Sequence, residues 1–212
     1  MKDILNSLPK RPSKPREEGL TMMMDKGLSI QEAKNFIDSN GEYTDIIKLG
    51  FGTSIITPNI TEKIKLYQDN KIMVYTGGTL FEAFAIRNQI NDYKKYLNKI
   101  GIEIVEISDG SIKINHNKKC ELIYDFSKDF KVLSEVGSKD SNKIVDEYQW
   151  KNEMEKELNA GSWKVIAEAR ESGNIGVFNN DGSIKSKLIN NLVKEINILD
   201  IIWEAPKKSQ QS

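Results

Sequence analysis

The chain is poor in the side chains that make the commonest metal and redox sites. It has one cysteine, Cys120, and one histidine, His116, among 212 residues. One thiol cannot close an internal disulfide, and a lone Cys and a lone His give no zinc-type ligand set. With His116 alone, acid–base work falls to Lys, Glu and Asp, and His116 and Cys120 are read as structural. Charge of one sign is also lacking: 31 Lys and Arg balance 31 Asp and Glu. A nucleic-acid coat or a polybasic membrane surface needs a single-sign excess, so neither is expected, although a local cationic pocket remains open. No apolar run approaches a membrane span and no apolar leader opens the chain, which reads as cytoplasmic. Proline is scarce and unevenly placed, with three of the five within residues 1–19. That stretch also carries Lys10, Arg11, Lys14 and Arg16. It reads as an extended arm, either a solvated tail or a strap that brings a basic residue to an anionic ligand.

From residue 20 onward, short Val/Ile/Leu-rich runs alternate with amphipathic segments. The apolar runs fall at 20–25, 43–49, 72–75, 102–107, from 131, at 163–169 and at 199–203. Between them, helices are expected at 30–39, to about 70, from 80 to 100 with room for a break, within 111–129, and over about 142–160 and 184–197. Ser29 with Glu32 has the spacing of a capping box. Near-continuous apolar strands alternating with helices indicate parallel strands buried on both faces. The preferred architecture for 20–212 is a TIM-type (β/α) barrel. The alternative is an open doubly wound sheet, which calls for a Gly-rich dinucleotide turn after the first strand, and Asp25-Lys-Gly27 is not one.

Charged residues or glycines recur where these runs end: Asp25 and Lys26, Lys48, Gly77 and Gly78, Glu106 with Asp109, Glu135 with Lys139, Glu168 with Arg170 and Glu171, and Glu204. In a barrel these ends meet on one face. Singly, each could simply begin a solvated loop. Lys48, Glu106, Glu135 and Glu168, however, sit inside or at the edge of apolar runs, where an unpaired charge is costly. Carboxylates mixed with lysines suit an oxygen-ligated divalent cation, Mg²⁺ above all, beside an anionic substrate. The turns at 50–54, with Gly52 and Thr53, and at 76–79 could offer backbone N–H groups to a phosphate.

These residues also carry a family resemblance. Leu8-Pro-Lys-Arg11, Lys14-Pro-Arg16, Gly19-Leu-Thr-Met22, Lys48-Leu-Gly-Phe-Gly-Thr-Ser54, Gly77-Gly-Thr-Leu-Phe-Glu82, Glu106-Ile-Ser-Asp-Gly110, Ser134-Glu-Val-Gly137, Glu168-Ala-Arg-Glu-Ser-Gly173 and Glu204-Ala-Pro206 follow one another as in the phosphosulfolactate synthase family. The family includes plant heat-stress-associated relatives. The resemblance implies a lyase that uses Mg²⁺ to add sulfite to phosphoenolpyruvate, giving (2R)-phospho-3-sulfolactate, which leads to coenzyme M in methanogens. It implies metal ligation by Glu106, Glu135 and Asp25, and catalytic roles for Lys139 as general acid and for Lys48 and Arg170 as anion partners. It places Arg16, Lys26, Gly52, Thr53, Gly77, Gly78, Glu168 and Glu204 around the substrate. A homo-oligomer is expected, with small anionic substrates and neither nucleic acid nor membrane as partners. Two departures stand out: Ser138 occupies the place of a family lysine, and the chain is short of the last βα unit. Both keep a competing reading open, a non-catalytic or stress-associated barrel relative without synthase activity.

Overall fold

The structure, a computed structural model, describes residues 11–137, 146–169 and 172–211. Among these, seven strands form one parallel sheet in sequence order: β1 (Met22–Asp25), β2 (Ile46–Leu49), β3 (Met73–Thr76), β4 (Ile104–Ile107), β5 (Lys131–Val136), β6 (Ser162–Ala167) and β7 (Ile201–Trp203). Each strand pairs only with its sequence neighbours, and among the described residues no pairing joins β7 back to β1. A cavity of about 1130 Å³ lies along that gap, lined by Leu20, Met22 and Met24 on one side and by Ile202 and Glu204 on the other. The architecture is that of a (β/α) barrel one unit short of closure.

Among the described residues, eight α-helices connect the strands: α1 (Ile30–Asn40), α2 (Thr53–Ile56), α3 (Ile60–Asp69), α4 (Gly78–Ala85), α5 (Ile90–Ile100), α6 (His116–Ser127), α7 (Glu147–Asn159) and α8 (Ser186–Glu195). α1 starts with the expected capping box, in which the Ser29 side chain accepts from the Glu32 N–H and the Glu32 carboxylate accepts from the Ser29 N–H. The break in the 80–100 segment separates α4 from α5. The single turn of α2 was not anticipated. It follows Gly52, whose φ of 75° suits a residue without a side chain.

Side chains alternate across the strands, and this parity decides everything at the site. One set points into the barrel, where Ile46, Tyr75, Ile104, Leu133, Ile166 and Ile202 form a buried cluster closed by Leu20, Met22, Met73 and Trp163. The other set, including Ile47, Leu49, Val74, Val105, Ile107 and Val132, packs outward against α1 and α3–α6. Val165, Ala167 and Ile201 pack outward against α7 and α8 through Trp150, Met154, Leu188 and Leu192.

The arm from residue 11 does pack along the domain, but at the end opposite the strand C-termini. Asp45, immediately before β2, receives Arg16 Nη1 and Arg11 Nη2, each at 2.7 Å, and the Thr21 N–H at 2.8 Å. Lys14 Nζ donates to the carbonyls of Gly41 (2.9 Å) and Thr44 (2.6 Å). Arg16, expected to reach a substrate, is therefore buried in an ion pair at the base of the sheet. The physical reason is Asp45, which is almost fully shielded and sits where it would otherwise be an uncompensated buried charge.

Candidate active site

Inward-facing positions at the C-terminal ends of six strands bring Lys48, Tyr75, Glu106, Glu135, Glu168 and Glu204 to one end of the barrel. Register links them: Lys48 lies beside Tyr75, and Glu106 beside Leu133 one layer below Glu135. Lys48 Nζ is 3.0 Å from Glu106 Oε2, 3.3 Å from Glu204 Oε1 and 3.6 Å from Glu135 Oε2, and stands 6.0 Å above the Tyr75 ring. Burial opposes the charged ammonium, but Glu106, the Tyr75 hydroxyl, Glu135 and Glu204 outweigh it and hold the Lys48 pKa well above its ordinary value. Lys48 is a fixed cation and not a base.

Glu106 has a different character from the other three. It is fully buried; Oε1 accepts the Gly78 N–H at 2.6 Å and Oε2 faces Lys48. Burial pushes its carboxyl up to about 7, with Lys48 pulling down and Glu135 and Glu204 adding to the rise. Glu135, Glu168 and Glu204 form a separate group, each offering a carboxylate oxygen within 4.8 Å of the others. Glu204 Oε2 also accepts the Ala169 N–H at 3.1 Å. The donors are all carboxylate oxygens in a mostly buried site, the hard ligand set that suits Mg²⁺ and not zinc. The group therefore fits the expected cation, but with a changed membership: Glu168 and Glu204 stand where Glu106 and Asp25 had been expected.

Asp25 is excluded by parity. It is the last residue of β1, and its side chain faces out of the barrel beside Met23, so that Met24 holds the inward position level with Lys48. Its oxygens accept from the Gly27 and Leu28 N–H groups (2.8 and 2.7 Å), the Tyr67 hydroxyl (3.0 Å) and Lys63 Nζ (2.8 Å). Burial pushes the Asp25 carboxyl up, but the bonds from Lys63, Gly27 and Leu28 prevail and hold it below the ordinary range. It is a strut between β1 and α3.

The glycines serve close approach more than phosphate binding. A Cβ on Gly78 would collide with Ser108 Oγ and Glu106 Oε1, and one on Gly77 would sit 3.2 Å from Lys48 Cε. Both lie against the charged cluster. Thr53 spends its hydroxyl on the Gly50 carbonyl, at 2.6 Å, within its own turn. Gly52 has open space around it. Lys26 lines the cavity between β1 and β7, together with Lys48 and Glu204. Lys139 and Arg170, and with them Ser138, Asp140 and Glu171, lie outside the described residues.

Two participants were not singled out from the sequence. Tyr75 is buried inside the barrel and donates its hydroxyl to Met22 Sδ at 2.8 Å. Its signal was available, since it shares parity with Lys48 in an adjacent strand. Glu82, in the first two turns of α4, accepts from the Ser108 hydroxyl and from the Ser111 N–H (3.0 Å), and so fixes the loop that follows Glu106. Its position in the block that begins at Gly77 was the only hint.

Solved structures share this fold. The YdjI aldolase from Escherichia coli K12 superposes with a TM-score of 0.56 at 8% identity, covering 91% of this chain and 68% of that one. 3-Hexulose-6-phosphate synthase from Salmonella typhimurium gives 0.54 at 15% identity, covering 90% and 80%. At such identities the likeness is one of fold alone. Sequence comparison reaches further. The chain is 36% identical over 214 residues to a phosphosulfolactate synthase of Bacillus subtilis, covering 100% of this chain and 85% of the relative. It is 37% identical to that of Methanothermobacter thermautotrophicus (96% and 81%) and 39% identical to that of Methanocaldococcus jannaschii (92% and 80%). The family model for (2R)-phospho-3-sulfolactate synthase (ComA) matches residues 9–212, and the chain belongs to that family.

Proposed function

We propose that the protein is a Mg²⁺-dependent synthase that adds sulfite to phosphoenolpyruvate to give (2R)-phospho-3-sulfolactate. The observation that carries this reading is the grouping of Glu135, Glu168 and Glu204 at one end of the barrel, with Lys48 reaching Glu135 and Glu204, in a chain of this family. Addition requires the sulfur lone pair to form a bond to C3 while the C2–C3 π pair moves towards the substrate carboxylate. A proton then has to reach C2. Glu135, Glu168 and Glu204 would hold Mg²⁺, whose positive charge stabilises the negative charge that builds on that carboxylate. The chain's own residues do the rest. Lys48, kept protonated by its carboxylate neighbours, gives the site a cation that cannot be lost at neutral pH. Lys26, on the cavity wall, and Arg170 attract and orient the phosphate. Lys139 delivers the proton to C2 and regains it from water. The sheet interior below, closed by Ile46, Ile104, Leu133 and Ile202, keeps water from the reacting carbons on that side.

The test is loss of phosphoenolpyruvate followed by ³¹P NMR, with and without sulfite and Mg²⁺, for wild type and Lys139→Ala. Loss that needs both, with a new phosphate-ester resonance and a slowed Lys139→Ala, is expected. No sulfite-dependent loss with wild type would overturn the synthase reading. Equal rates for the two proteins would remove the proton-donor role from Lys139.

A further inference from the structure

Behind β5, outside the barrel, lies a second buried charge cluster that the chemistry above does not use. Lys119, on α6, is 1% exposed, and Glu157, on α7, is fully buried. Lys119 Nζ reaches Glu157 Oε1 at 2.8 Å, Asp109 Oδ1 at 2.8 Å and the backbone carbonyl of Glu135 at 2.6 Å. An ammonium has three protons, so these three acceptors saturate it. His116 Nε2 also stands 3.2 Å from Glu157 Oε1. A buried ion pair does little for net stability, because desolvating two charges offsets most of their attraction. A pair of apolar side chains would join α6 to α7 at least as well. What apolar side chains cannot do is donate to the carbonyl at the end of β5 while also holding Asp109 in the loop after β4.

We propose that Lys119, held by Glu157 and Asp109, is a positioning residue that sets the end of β5, and so the Glu135 carboxylate, for metal binding. The proposal rests on the reading of Glu135 as part of the metal group. The bond fixes the peptide plane between Glu135 and Val136, and with it the direction from which the Glu135 side chain enters the site. It also ties that plane to Asp109, so the end of β5 and the loop that leaves β4 are held by a single ammonium. Partners that orient a ligand in this way typically change metal affinity about 10- to 100-fold when they are lost.

The test reads Mn²⁺ binding directly, from the electron paramagnetic resonance signal of free Mn²⁺, without substrate and without turnover. Lys119→Met combined with Glu157→Gln removes the donor without stranding a buried carboxylate. It should bind Mn²⁺ about tenfold or more weakly. Asp45→Asn, at the base of the sheet, is the stability control: it should lower the melting temperature and leave Mn²⁺ affinity unchanged. Affinity of the double variant within twofold of wild type would overturn the inference, as would an equal loss of affinity in Asp45→Asn. If the double variant does not fold, Asp109→Ala, at a partly exposed loop position, decides the matter: weaker binding supports the inference and unchanged binding overturns it. Failure of the wild type itself to bind Mn²⁺ would remove the metal reading and this inference with it. That outcome is distinct from normal wild-type binding with an indifferent variant.

Discussion

Glu106 gives the sharpest quantitative test of the site. Its folded-state carboxyl is raised to about 7 from an ordinary 4.5, first by burial and then by Glu135 and Glu204, with Lys48 opposing. A raised pKa means that the folded protein holds a proton the unfolded chain has already released. Its contribution to stability is therefore fully present below about pH 4.5 and is lost as pH climbs through 7. Integrating between pH 5 and pH 8 gives a loss of about 2–3 kcal/mol at 1.36 kcal/mol per pH unit. Glu106→Gln keeps the shape and still accepts from the Gly78 N–H, but it does not titrate. The stability difference between variant and wild type should thus move by about 2–3 kcal/mol in the variant's favour from pH 5 to pH 8. In urea titrations of the chelator-treated protein, with slopes of about 2–3 kcal/mol per molar, this is a relative midpoint shift of about 1 M. Carboxylates remote from the cluster titrate alike in both proteins and cancel, so the difference reports Glu106 with the neighbours coupled to it. A midpoint difference that is the same at pH 5 and pH 8 would show that Glu106 ionises normally in the folded state and would refute the reasoning.

Three further outcomes are expected. Gly137 has φ of 134°, and a Cβ there would lie 2.7 Å from Glu168 Cβ and 2.9 Å from the Trp150 ring, so Gly137→Ala should cost about 1–3 kcal/mol in chemical denaturation and weaken Mn²⁺ binding by displacing Glu168. Asp45→Asn removes the anion shared by Arg11 and Arg16 and should cost about 3 kcal/mol, as loss of one partner in a buried pair does, with sulfite-dependent activity retained at temperatures well below the transition. Glu168→Gln and Glu204→Gln should each abolish Mn²⁺ binding at concentrations that saturate wild type, whereas Asp25→Asn should lower the melting temperature and leave binding intact; the reverse pattern would restore Asp25 as a ligand.

The order of elements was legible because both of its signals are local. Seven apolar runs separated by amphipathic segments became seven parallel strands and their connecting helices, and the Ser29–Glu32 cap sits where its spacing put it. The charged ring was legible in outline, because Lys48, Glu106 and Glu135 lie within buried strands. Parity at the frayed ends of strands was not. Asp25 ends a run of three methionines, and nothing in Met22-Met-Met-Asp25 says whether the aspartate faces in or out. The answer lies 38 and 42 residues downstream, in Lys63 and Tyr67 on α3. Arg16 was misplaced for a related reason. Its partner Asp45 precedes β2 by one residue, and a carboxylate before a strand sits at the opposite end of the barrel from one after it.

The same geometry constrains how a ligand would approach. Glu106 and Lys48 belong to strands in the middle and first part of the sheet, whereas Glu204 follows β7 at the open edge. The gap between β1 and β7 therefore leads directly to the one carboxylate of the ring that combines a bond to Lys48 with a bond to the Ala169 N–H. Its wall carries Lys26, Lys48 and Lys164, of which Lys164 is spent on the Leu199 carbonyl at 2.7 Å. Lys26 is exposed on this wall, whereas Lys48 is buried at its floor, paired with Glu106, Glu135 and Glu204. An anion entering along this wall meets Lys26 first and Lys48 last, so Lys26→Ala should raise KM for phosphoenolpyruvate with little change in kcat, whereas Lys48→Met should lower kcat. An effect of Lys26→Ala on kcat alone would place the entry route elsewhere.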